Sequence, residues 1–187
     1  MGVIRTFIAF ETPPSIREKI SSIQSTLREA DADVRWESED KFHITIKFLG
    51  DVEEQRLPTV VSLTEQCCAD CSPFEVVYRG LGAFPNTHQP KVVWIGCDNR
   101  DGTLEKLKIS LDRELAVEGF EIERRAFHPH LTLGRVKSLR GIRNLTPIIE
   151  NLTFEPQSSK ITDIVVMKSR LQPQGAVYTV LKKIHLG

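Results

Sequence analysis

Two near-copies of one short segment constrain this chain more than any other feature. FHITIKFLG at 42–50 and PHLTLGRVK at 129–137 both alternate polar and apolar residues, and both carry His-x-Thr. In a strand, residues two apart share a face. His43 and Thr45 therefore share one face, with Ile44 and Ile46 on the other. His130 and Thr132 are separated from Leu131 and Leu133 in the same way. The apolar face requires a core, which leaves the His/Thr face for solvent, a ligand or the equivalent strand. A self-similar strand in each half of the chain predicts two related lobes, with two imidazoles and two hydroxyls converging where they meet.

The rest of the chain fits that frame. Strand patterns at Thr6–Phe10, Val34–Trp36, Lys41–Gly50, Phe74–Tyr78, Val92–Gly96, Phe120–Arg124, Pro129–Val136, Ile161–Lys168 and Ala176–Lys183 are interleaved with helical ones. The helices are expected at Ser15–Ala30, Glu53–Cys68, Asp101–Val117 and, weakly, Leu139–Ile149. The predicted class is α+β: two pseudo-symmetric, antiparallel-rich sheets with flanking helices around a central cleft, formed by two intertwined lobes of one domain over 1–187. The 187 residues suffice for that.

Charge excludes one class of partner contact. Lys plus Arg and Asp plus Glu number 25 each, so bulk electrostatic coating of nucleic acid is not expected, whereas a small site gripping one phosphate is compatible. No apolar run is long enough to span a membrane. The opening MGVIRTFIAFE lacks a signal-peptide layout; Met1-Gly2 with Thr6 fits a short acylation pattern, but Arg5 to Glu11 reads as a first strand. Cys67, Cys68 and Cys71 cluster without a second Cys-x-x-Cys pair, so reduced thiols in a cytoplasmic protein are expected rather than a zinc site.

The paired His-x-Thr strands suit phosphoryl chemistry. In-line displacement at phosphorus needs a base on the attacking oxygen and an acid on the leaving oxygen. Imidazole fills either role near neutral pH, and Thr hydroxyls donate to the oxygens that gain charge. Other readings of these residues exist. His128 competes with His130, although it lacks the Thr two positions on; His43, His128 and His130 together would make a three-histidine zinc site. The pocket would also serve an RNA-end binding module without turnover. Arg135 has the wrong parity for the cleft unless Gly134 marks a bulge that re-aims it. Lys47 has the parity of His43 and would reach the cleft or a solvated strand end, and Phe48 has core parity. Phe84, Trp94 and Tyr178 are either core residues or platforms for a base. His88 and His185 read as surface residues.

His43-Ile44-Thr45-Ile46 and His130-Leu131-Thr132-Leu133-Gly134-Arg135 resemble the paired motifs of the two-histidine phosphoesterases. The branch most similar is the RNA 2′,3′-cyclic phosphodiesterases, historically called 2′-5′ RNA ligases. Arg5-Thr6-Phe7-Ile8-Ala9, Gly82-Ala83-Phe84-Pro85 and Ser169-Arg170-Leu171 with Gly175 and Tyr178 also resemble it. The resemblance implies a bilobal α+β fold and hydrolysis of RNA 2′,3′-cyclic phosphate ends to 2′-phosphates, with 2′-5′ joining in some relatives. It implies His43 as proton donor, His130 as proton acceptor, Thr45, Thr132 and Arg135 as substrate-binding residues, and no metal or other cofactor. The implied partners are RNA ends such as tRNA fragments, or small cyclic nucleotides, with no membrane and a monomeric enzyme.

Overall fold

The computed structural model describes residues 2–173 and 175–187, and among them are nine strands and four α-helices. In order they are β1 (Val3–Glu11), α1 (Pro14–Arg28), β2 (Val34–Trp36), β3 (His43–Glu53), α2 (Leu57–Ala69), β4 (Phe74–Phe84), β5 (Val92–Asp98), α3 (Thr103–Val117), β6 (His130–Val136), α4 (Ile142–Asn151), β7 (Gln157–Ile161), β8 (Asp163–Gln172) and β9 (Gly175–His185). Met1, which heads the acylation pattern, lies outside the described residues. No described helix is long and apolar enough to cross a membrane.

The two expected sheets are halves of one antiparallel ladder, ordered β7-β4-β5-β6-β3-β1-β8-β9, with β2 paired to β6. The halves meet at a single registered pair, Ile44 with Leu131, between β3 and β6. Each His-x-Thr strand is therefore the innermost strand of its half. The chain crosses between halves more than once, because β2 pairs with β6 while β1 and β3 belong to the other half. Helices cover one face. Ile16, Ile20 and Leu27 of α1, Val60 of α2, and Leu104, Leu107, Leu111 and Leu115 of α3 are buried with Ile44, Ile46, Leu131 and Leu133 in one core. Each such side chain contributes about 1.5–3 kcal/mol on burial. Pro14 opens α1 at a position whose N–H has no helical acceptor.

Several boundaries differ from the sequence reading. Phe120–Arg124 forms no strand: Phe120 packs into the core but residues 121–124 are exposed and pair with no neighbour in the sheet. The strand expected at Ile161–Lys168 is two strands broken at Thr162, and β4 runs on to Phe84. The weak helix expected at Leu139–Ile149 runs from Ile142 to Asn151, with Pro147 inside it.

Parity along the two central strands also departs from simple alternation. In β3, Thr45 and Lys47 face consecutive residues of β1, Ala9 and Ile8, so Ile46 is an extra residue. In β6, Thr132 and Gly134 face consecutive residues of β5, Trp94 and Val93, so Leu133 is extra. A bulge of this kind reverses the facing of everything beyond it. Lys47 is consequently buried at 2% exposure, where Nζ donates to Asp112 Oδ1 at 2.5 Å and to the Glu121 carbonyl at 2.9 Å. Phe48 turns outward at 46% exposure. Both outcomes correct the parity argument, which set Lys47 toward the cleft or solvent and Phe48 in the core.

Candidate active site

A cavity of about 400 Å3 opens where the two halves meet, and His43, Thr45, His130, Thr132 and Arg135 all line it. Their convergence follows from the register. With Ile44 opposite Leu131 in an antiparallel pair, His43 comes beside Thr132 and Thr45 beside His130. Each imidazole is thus next to the other strand's hydroxyl. The Leu133 bulge brings Arg135 to the same cavity, one residue before the glycine suspected from the sequence. Two bonds hold that bulge: Gln24 Nε2 and the Glu37 amide both donate to the Leu133 carbonyl, at 2.9 and 2.8 Å.

The two imidazoles are anchored in the same way. His43 Nδ1 lies 2.7 Å from the Lys41 carbonyl, and His130 Nδ1 lies 2.7 Å from the His128 carbonyl. A carbonyl only accepts, so Nδ1 carries the hydrogen in both rings and Nε2 remains for chemistry. Aromatic rings buttress each histidine. Phe7 and Tyr178 lie 5.0 and 4.9 Å from His43, and Phe84 and Trp94 lie 4.9 and 6.4 Å from His130, centroid to centroid. Burial is the main cause that lowers the pKa of both. His43 falls from 6.5 to about 4, with further repulsion from Arg135 and His130 working against the Lys41 carbonyl, which favours the proton. For His130, Arg135 and His128 add to the effect of burial.

Cationic side chains collect around the rings. Arg35 of β2 is the direct cross-strand partner of Arg135, an arrangement that like charges disfavour. Glu37 lies 3.8 Å from Arg135 and relieves part of the repulsion. Arg5, Arg35 and Lys41 also line the cavity, and the Arg5 guanidinium sits 4.6 Å over the Phe48 ring. The buried Arg35 Nε has no hydrogen-bond partner among the described residues, a costly state for a donor that a bound anion would relieve. The sequence reading did not single out Arg35 or Arg5 as cavity residues. Arg35 was within reach of a parity argument, because its neighbours Val34 and Trp36 pack on the core.

His128 lines a second cavity together with Phe84, Trp94 and His130, not the first. Among the described residues, no group of three or more His, Cys, Asp or Glu side chains is arranged to hold a metal ion. The four cysteines are free and buried; burial pushes the thiols of Cys68 and Cys97 up to about 12 and raises those of Cys67 and Cys71. His88 is exposed, and the exposed His185 pairs with Asp163.

The sequence profile of LigT-like phosphoesterases matches residues 10–94 and again residues 95–178, so each match carries one of the two His-x-Thr segments. A Methanothermobacter thermautotrophicus protein named RNA 2′,3′-cyclic phosphodiesterase is 36% identical over 184 residues, covering 98% of this chain and 99% of the relative. Its Thermotoga maritima namesake is 32% identical, covering 95% and 93%. Among solved structures, E. coli LigT complexed with 3′-AMP superposes with a TM-score of 0.77 at 25% identity, covering 98% of both chains. The duplicated match across nearly the whole chain, with full-length relatives above 30% identity, establishes that this chain belongs to the LigT-like phosphoesterases.

Proposed function

We propose that this chain hydrolyses RNA 2′,3′-cyclic phosphate ends to 2′-phosphates by acid–base catalysis, as one catalytic unit of two intertwined lobes over 1–187. The observation that carries the proposal is the pair of imidazoles with Nδ1 tied to a carbonyl, both Nε2 atoms left for one arginine-lined cavity. The relatives' name, RNA 2′,3′-cyclic phosphodiesterase, supports the substrate class, and LigT's complex with 3′-AMP supports a nucleotide in this fold.

In this reading the cyclic phosphate sits between the two His-x-Thr strands. His130 Nε2 takes the proton of an attacking water as its oxygen bonds to phosphorus. The bond from phosphorus to the ribose 3′ oxygen breaks, and His43 donates the proton that oxygen needs. Thr45, Thr132 and Arg135 bond the non-bridging oxygens, where charge accumulates. Burial holds His43 neutral at neutral pH, so its role as donor requires the phosphate's negative charge to raise its pKa. No metal or other cofactor takes part. With an RNA 5′-hydroxyl in place of water, the same transfers yield a 2′-5′ linkage. The clustered, unbridged cysteines support a reducing, cytoplasmic setting, and we assign a monomer acting on tRNA fragments or other short RNA ends.

The test is turnover of adenosine 2′,3′-cyclic phosphate in excess chelator, with end-group analysis of the product. The expected result is adenosine 2′-phosphate, formed without added metal. A 3′-phosphate product, or turnover only with added zinc, overturns the assignment.

A further inference from the structure

The two histidines have unequal surroundings, and the inequality has chemical content. Beyond His43, the flank is filled: Phe7, Ala9, Val165 and Met167 form a second small core with Tyr178 packed on it, and the remaining space there is about 140 Å3. Beyond His130, Phe84 and Trp94 occupy the matching places, but the adjoining cavity is about 540 Å3 and His130 lines it as well as the first. That volume lies within the range of small-ligand sites, and the smaller one does not.

The lining of this second cavity suits a nucleobase. Gly80 and Gly96 leave part of the sheet face without side chains, while Phe84, Trp94 and Phe127 wall it. Phe84 and Trp94 lie 5.2 Å apart at 37°. Gly82 allows the indole to rest against the backbone of β4, since a Cβ there would come within 2.3 Å of the Trp94 ring. Asp98 is paired with Arg79, which also lines the cavity, so Glu105 is the lining carboxylate with no ion-pair partner among the described residues. It would accept a hydrogen bond from an exocyclic amine. The buried Trp94 Nε1 has no hydrogen-bond partner among the described residues.

We infer that the cavity lined by Trp94, Phe84 and Phe127 is a second nucleotide subsite, which takes the base preceding the cyclic-phosphate nucleoside. The inference rests on the hydrolase reading above. An end two nucleotides long is therefore a better substrate than a cyclic mononucleotide.

The experiment compares kcat/KM for adenosine 2′,3′-cyclic phosphate with that for the dinucleotide ApA bearing the same cyclic end. One base stacked on an aromatic ring corresponds to roughly a five- to hundredfold gain, so the dinucleotide should lead by about tenfold or more. Trp94→Ala removes the platform, and Glu105→Trp fills the cavity from the exposed first turn of α3. Each should bring the ratio of the two substrates close to one. Damage to His130 would lower both rates and leave the ratio standing, which separates the two effects. A wild-type ratio near one, or an unchanged ratio in both variants, overturns the subsite. Should the wild type turn over neither substrate, the hydrolase reading falls. Dissociation constants for adenosine 2′-phosphate and ApA 2′-phosphate then decide the subsite, and equal values overturn it.

Discussion

Binding of an anion should carry the His43 proton equilibrium from far below neutrality into the working range. The protein's own groups set the His43 pKa at about 4, down from 6.5, because burial strips solvent from the imidazolium and Arg135 and His130 repel it. A unit negative charge about 4 Å from the ring attracts its proton by about 4 kcal/mol at an effective dielectric of about 20, roughly 3 pKa units. The loaded site should then titrate near about 7, where imidazole serves as an acid. Sulfate is a suitable probe, since it keeps its charge throughout the range in which histidine titrates. The assay is an NMR pH titration of the imidazole signals with and without saturating sulfate, with His43 assigned by its loss in His43→Asn. A His43 pKa above 6 in the empty protein would refute the account of burial. A value that sulfate leaves unmoved would refute the proposed donor. The same shift has a sign for stability. The unfolded chain binds this proton more readily, so the contribution of His43 is complete above 6.5 and is lost as pH falls toward about 4. Acid unfolding in that window should be shallower in His43→Asn.

Three further outcomes follow from the same geometry. His43→Ala and His130→Ala should each lower turnover of a cyclic nucleotide by about 100- to 10,000-fold, with thermal melts that still show a cooperative fold; substantial residual activity in either would count against a two-histidine mechanism. Arg135→Ala removes a like-charge contact with Arg35, so a denaturant melt should show little loss of stability, while phosphate affinity should fall by the equivalent of about 1.5–3 kcal/mol. Lys47→Ala should cost about 3–5 kcal/mol, because it leaves the carboxylate of Asp112, 13% exposed, without one of its two lysine partners. Burial pushes that carboxyl up, yet its bonds to Lys108 and Lys47 hold it below its ordinary range. A flexible apolar replacement, Lys47→Met, does not restore the lost partner and should recover only the packing part.

What the sequence determined by itself is local and periodic. Alternation in 42–50 and 129–137 was enough to set His43 beside Thr45, to set His130 beside Thr132, and to oppose both pairs to an apolar face, because strand pleating is a property of the backbone alone. The helix faces of α1 and α3 were readable for the same reason. Tertiary structure decided where alternation stops. The bulges at Ile46 and Leu133 depend on distant partners: Asp112 and the Glu121 carbonyl capture Lys47, while Gln24 and the Glu37 amide satisfy the Leu133 carbonyl. These contacts turn Phe48 and Arg135 to the cavity, and pairing of β2 with β6 adds Arg35. Within the motifs only Gly134, beside Leu133, signals any of this; the partners themselves have no local signature. A bulge is favourable only when something far along the chain pairs the group it displaces.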